Sequence, residues 1–204
     1  MKKIVILIPV FNDWESLKKL IVEINENISS FQEIHFECLI VNDASTINQP
    51  KLIRPSNIKS LKILDMKENR GHARCNAFGI RHVFQNKDFD YLLLMDGDGE
   101  DRPEEIKTLI EAINKKPLVS VVAKRVQRSE GPFFQFLYQV HKLITLVFTG
   151  KNINFGNYSI LTKQDVETLH SKSSLWSSFS GKEKKNINLL NEINSVRGLR
   201  YFGP

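Results

Sequence analysis

The run Leu92-Leu93-Leu94-Met95-Asp96-Gly97-Asp98-Gly99-Glu100-Asp101 turns abruptly from apolar to acidic. A short, continuous apolar run of this kind, entered through Asp90-Tyr91, reads as a strand buried on both faces, as in a parallel sheet. Its end delivers two carboxylates, Asp96 and Asp98, separated by a single residue. Just beyond, Pro103 stands near the first position of a helix, and Asp101 and Glu104 have the spacing of a capping box. Ile106, Leu109, Ile110 and Ile113 then recur on one helical face. Strand, acidic loop and helix form one repeating unit of an α/β sheet.

The same unit recurs on both sides. Residues 3–8 (KIVILI) form a buried strand, and Trp14, Leu17, Leu20, Ile21, Ile24 and Ile28 give the following helix its apolar stripe. Strands are expected at 36–41, 61–66 and 118–123, with a helix at about 72–86. This alternation predicts an α/β, doubly wound and mostly parallel sheet flanked by helices. Such sheets bind ligands beyond the carboxyl ends of their strands. Asn12 and Asp13, Asn42 and Asp43, and Asp96 and Asp98 each follow a strand, so they are expected to line one crevice. Past residue 150 the pattern weakens to a strand at 157–162 and a short helix at 163–170.

The chain of 204 residues carries 41% apolar and 25% charged residues, which suits one globular domain and excludes a disordered chain. A net charge of +6 favours anionic partners without choosing between nucleotide phosphates, nucleic acid and an acidic membrane. The basic, apolar start MKKIVILIPVFND meets Pro9, Asn12 and Asp13 too soon for a signal peptide. No stretch approaches the roughly 20 apolar residues that span a bilayer. Cys38 and Cys75 lack metal-ligand spacing and read as buried free thiols in a reducing compartment. Residues 133–149 are rich in Phe and Leu around His141 and Lys142; they read either as a helix packed on the domain or as one lying in a membrane interface.

Three motifs carry chemistry. Acid-x-acid at a strand end suits a hard cation, magnesium or manganese, that also bridges substrate phosphates. A polar loop that merely caps the strand is the plainer alternative. Four acids within residues 96–101 repel one another, which favours a cation, with Asp98 its firmer ligand and Asp96 the second. Phe11 and Asp43, each just after a buried strand, suit a nucleobase: a ring to stack on it and a carboxylate to accept its N–H. Asn69-Arg70-Gly71-His72-Ala73-Arg74 opens a helix whose N-terminus can face an anion, with Arg74 one turn in. His72 by itself reads as structural.

Together IPVFN, VNDAS, NRGHARCNAFG and MDGDGEDRPEEI, in this order, resemble family 2 glycosyltransferases of GT-A fold. The nearest branch is that of dolichol-phosphate mannosyltransferase-like enzymes. VVAKRVQRSEG, NFGNYSIL and RGLRYFGP extend the resemblance along the chain.

The resemblance implies a nucleotide-sugar site built from Pro9, Phe11, Asn12, Asp43, Arg74, Asp96, Lys124 and Arg125, with Asp96 and Asp98 on the metal. Asn42 stands where an aspartate is often found, and the Q-x-x-R-W sequence that often accompanies the catalytic base is missing. Glu100, Asp101 and Glu183 are the candidates for that base on charge alone. The implied reaction is inverting transfer of a sugar from UDP or GDP to a polyprenyl phosphate or a surface glycan, at the cytoplasmic face of a membrane. An acceptor phosphate is already an anion and needs no strong base. The expected organisation is one domain over 1–204, nucleotide-binding to about 125 and facing acceptor and membrane from about 126, continuing into hydrophobic helices. No nucleic-acid partner is expected, and a homo-oligomer is left open. The rivals are a nucleotidyltransferase, which wants a glycine-rich basic loop where Pro9-Val10-Phe11-Asn12-Asp13 stands, and an inactive nucleotide-binding scaffold.

Overall fold

A computed structural model describes residues 1–127, 155–170 and 190–202. Within them the chain runs β1 (Lys2–Val10), α1 (Trp14–Asn27), β2 (Ile34–Asn42), β3 (Ile58–Asp65), α2 (His72–Asn86), β4 (Tyr91–Leu94) and α3 (Glu105–Lys115). It continues with β5 (Ser120–Gln127), β6 (Phe155–Thr162), α4 (Lys163–His170) and β7 (Leu190–Val196).

The strands form one seven-stranded sheet in the order β3-β2-β1-β4-β6-β5-β7. Pairings β3–β2, β2–β1, β1–β4 and β5–β7 are parallel. The expected parallel succession is broken by β6, which slots between β4 and β5 and runs antiparallel to both.

Alternation along β1 explains the layers. Ile4, Ile6, Ile8 and Val10 face a core shared with Leu17, Leu20 and Ile24 of α1 and Ile106, Leu109 and Ile113 of α3. Val5 and Leu7 face the opposite core, filled by Cys75, Ile80 and Val83 of α2 and Val166 and Leu169 of α4. A strand buried on both sides must be apolar at every position, which is why the sequence shows runs rather than alternation. The two cysteines are buried and free, one in each core, and burial pushes both thiols up to about 12.

The capping box expected at Asp101 and Glu104 does not form. The residue before α3 is Glu104, without a side-chain cap, and Asp101 turns inward instead. The segment 133–149 and Glu183 lie outside the described residues. Among the described residues no helix is long and apolar enough to cross a membrane.

Candidate active site

The crevice lies where β1, β2 and β4 end. Asn12, in the left-handed region at φ 54°, ties the first two loops together. Its Oδ1 accepts the backbone N–H of Thr46 (2.8 Å) and Ile47 (3.1 Å), and its own N–H donates to Ser45 Oγ at 2.9 Å. This amide is committed to the scaffold. Pro9 is buried in β1, whereas Phe11 is 46% exposed, a bare ring at the crevice lip.

Asp43 is 4% exposed and both its oxygens are engaged. Oδ1 accepts the N–H of Arg70 at 2.8 Å and Oδ2 that of Gly71 at 2.9 Å. The residue expected to read a base therefore holds the turn that opens α2. Gly71 serves as the N-cap at φ 83° with no side-chain cap, and no acid sits in the helix's first turn. The positive end of α2 is left open to an anion. Arg74 is exposed there and makes no ion pair with any described residue.

The acidic loop resolves its own repulsion unequally. Asp101 is 2% exposed; its Oδ2 accepts the N–H of Asp96 at 2.8 Å and its Oδ1 lies 3.3 Å from Arg125. Burial, then the charge of Asp96, raise its pKa to about 7, opposed by the Asp96 N–H and by Arg125. Glu100 is clasped through both oxygens by Arg197, from the far end of the described chain. Two of the four acids thus face arginines. Lys124 pairs with Glu192 of β7 at 3.1 Å, so this expected phosphate contact also faces a carboxylate.

Asp96 and Asp98 remain. Asp96 Oδ1 lies 3.3 Å from His72 Nε2 and 3.4 Å from Asn157 Nδ2. Asp98 Oδ1 accepts only the N–H of Glu100 two residues on, at 3.1 Å, and no described cation covers its other oxygen. Among the described residues no three His, Cys, Asp or Glu side chains gather into a closed metal site. An open pair of hard oxygen donors fits a cation whose remaining ligands come from phosphate and water.

The loop's shape comes from a strap that the sequence did not reveal as part of the site. Gly198 N–H donates to Glu100 O and Tyr201 N–H to Asp98 O, each at 2.9 Å. Arg200 reaches Asp13 at 3.3 Å, and the Tyr201 hydroxyl bonds Glu23 on α1. The signals for Arg197 and Tyr201 lay in RGLRYFGP, which carried a resemblance but no charge or spacing cue linking it to the acidic loop, 97 residues earlier in the case of Glu100.

The profile of Glycosyl transferase family 2 matches residues 5–179. The undecaprenyl-phosphate 4-deoxy-4-formamido-L-arabinose transferase of Proteus mirabilis is 24% identical over 164 residues, 80% of this chain. The chain spans 48% of that relative's length. Glucosyl-3-phosphoglycerate synthase of Mycobacterium tuberculosis, solved with Mn2+, UDP-glucose and phosphoglyceric acid, superposes with a TM-score of 0.58 at 10% identity, covering 99% of this chain and 73% of that one. Residues 1–349 of S. aureus TarS give 0.53 at 17% identity, covering 96% and 60%. At such identities the likeness shows the fold, the GT-A arrangement expected from the sequence.

Proposed function

The chain belongs to glycosyltransferase family 2, and from that premise we propose that it moves a sugar from UDP or GDP to a polyprenyl phosphate, inverting the anomeric centre. A surface glycan is the second choice of acceptor. The observation that carries the reading is the pair Asp96 and Asp98: within a loop of four acids these two each keep a carboxylate oxygen that no described group covers, while Glu100 and Asp101 have both oxygens engaged. Asp98, with Asp96 beside it, would hold the divalent cation; when bound, the cation neutralises charge on the leaving diphosphate.

The protein's own residues do the rest. Phe11 offers its ring to the base, and the buried Asp43 keeps the Gly71 turn in place so that the α2 N-terminus and Arg74 face the phosphates. Glu100 and Asp101 stay with their arginines. Their engagement supports an acceptor that arrives already ionised, since such a nucleophile needs no proton removed. The name of the Proteus relative, an undecaprenyl-phosphate sugar transferase, supports the same acceptor class. Its proposed place is the cytoplasmic face of the membrane, which also suits two free thiols.

The test is transfer of radiolabelled sugar from a panel of UDP- and GDP-sugars to undecaprenyl phosphate in detergent with manganese. The reading expects a lipid-linked product with inverted configuration. Product only with a glycan acceptor would move the acceptor assignment, and none with any donor would refute the transferase.

A further inference from the structure

His72, the first residue of α2, stands on the crevice side of the acidic loop with its Nε2 among three polar groups. Asp96 Oδ1 is 3.3 Å away and the amide of Asn76, one turn along the same helix, 3.0 Å. The amide of Asn157 on β6 touches both the ring and, at 3.4 Å, the same Asp96 oxygen. Asn76 is 1% exposed and its Oδ1 has no partner among the described residues, so the ring is the group its side-chain amide meets. A carboxylate only accepts, and the O and N ends of an asparagine amide exchange by a half-turn. For the ring to donate to Asp96 its proton must sit on Nε2, and both amides then turn their oxygens to it, which gives up the longer Asn157 contact to Asp96.

The contacts form a continuous chain. Asp43 fixes the N–H of Gly71, Gly71 sets the start of α2, His72 heads the helix, and His72 holds Asp96. On the other side, Asp101 fixes the N–H of Asp96. Without the ring, Oδ1 of Asp96 would lose its cationic or donor partner and the carboxylate would be free to swing away from the other acids of the loop.

We infer that His72 is a positioning residue for the donor site: its ring pins Oδ1 of the Asp96 carboxylate at the crevice wall and leaves the other Asp96 oxygen, beside Asp98, open to the cation. The inference rests on the transferase reading for what Asp96 meets, while its geometric half stands independently.

Two measurements on the full chain separate these halves. In a long-range 1H–15N spectrum at pH 8, His72 should show the Nε2-protonated tautomer, and Asp96→Asn should shift that resonance while Asp98→Asn leaves it in place. An Nδ1-protonated ring indifferent to Asp96→Asn would overturn the contact. In titrations of manganese with UDP and with GDP, His72→Ala should weaken binding about 10-fold or more, the usual effect of losing a group that orients a metal-site ligand. His72→Gln should recover most of it. Combining His72→Ala with Asp96→Asn should add nothing to Asp96→Asn alone, whereas combining it with Phe11→Ala should multiply the losses. Multiplicative loss in the first pair, or wild-type binding by His72→Ala, would overturn the positioning role. Failure of the wild type to bind either nucleotide would instead strike the transferase reading, leaving the tautomer to decide the contact.

Discussion

The ring of Tyr201 lies against the backbone of Gly99 so closely that a β-carbon added there would stand 2.6 Å from it. Gly99 is the turn of the acidic loop, at φ 89°. The strap at the end of the described chain thus moulds the loop that presents Asp98. Gly99→Ala should destabilise the fold by about 1–3 kcal/mol from backbone strain alone, with the clash in addition. Tyr201→Ala should relieve only the clash. Urea unfolding of the two single variants and the double checks this: full recovery in the double variant would mean the strain is absent.

Asp98→Asn should leave the fold intact and abolish sugar transfer, because no described group depends on the oxygen it changes. Asp96→Asn should be severe too. Circular dichroism alongside transfer at saturating manganese is the check, and an active Asp98→Asn protein would remove the metal assignment.

Arg197→Ala should strip Glu100 of its counter-charge and cost about 1.5–3 kcal/mol, the scale of hydrogen bonds to charged groups. The loss should be smaller with manganese present, since a cation offsets the same loop charge. Adding Glu100→Gln should restore part of the stability. Equal losses with and without the metal would show that the loop's charge and the cation are unconnected.

How far the sequence announced these features depends on the range over which they act. The other strands and the helices were legible, because a strand buried on both faces must be apolar throughout and a helix must repeat its apolar stripe; β7, half exposed and carrying Asn191, Glu192 and Asn194, was not. The insertion of β6 between β4 and β5 was not, since order within a sheet leaves no mark on a strand's own composition. Asp98 was legible as an acid at a strand end. The division of labour among Asp96, Asp98, Glu100 and Asp101 was hidden, because it is decided by Arg125, Arg197 and His72, which reach the loop only through the fold. Asp101 misled in the same way: its spacing to Glu104 suits a cap, but the half-buried Arg125 and the Asp96 N–H compete for it and win.

Phe11→Ala should weaken nucleotide binding by about 1–3 kcal/mol, the range for a base stacked on an aromatic ring. Asp43→Ala should weaken it as well and also lower stability, because it frees the N–H groups of Arg70 and Gly71. Calorimetric titration with UDP and GDP distinguishes the two: unchanged affinity in both variants would place the base elsewhere.

Cys38 and Cys75 should resist a thiol reagent at pH 8 in the native state and react once the chain is unfolded. Their native pKa, about 12, lies above the ordinary 9.0, so the unfolded chain releases these protons first as pH rises. Their contribution therefore lowers stability between about pH 9 and 12. Comparison with a Cys38→Ala/Cys75→Ala double variant isolates it: the wild type should lose stability more steeply over that window. Parallel curves would contradict the shift.

The central claim, a nucleotide-sugar site completed by a cation on Asp98, is tested most directly by thermal unfolding with a panel of UDP- and GDP-sugars. A ligand that binds only the native state raises the midpoint. The account predicts a rise with at least one donor when manganese is present, its loss on chelation, and its absence in Asp98→Asn. A rise that is the same without the metal or in Asp98→Asn would contradict it.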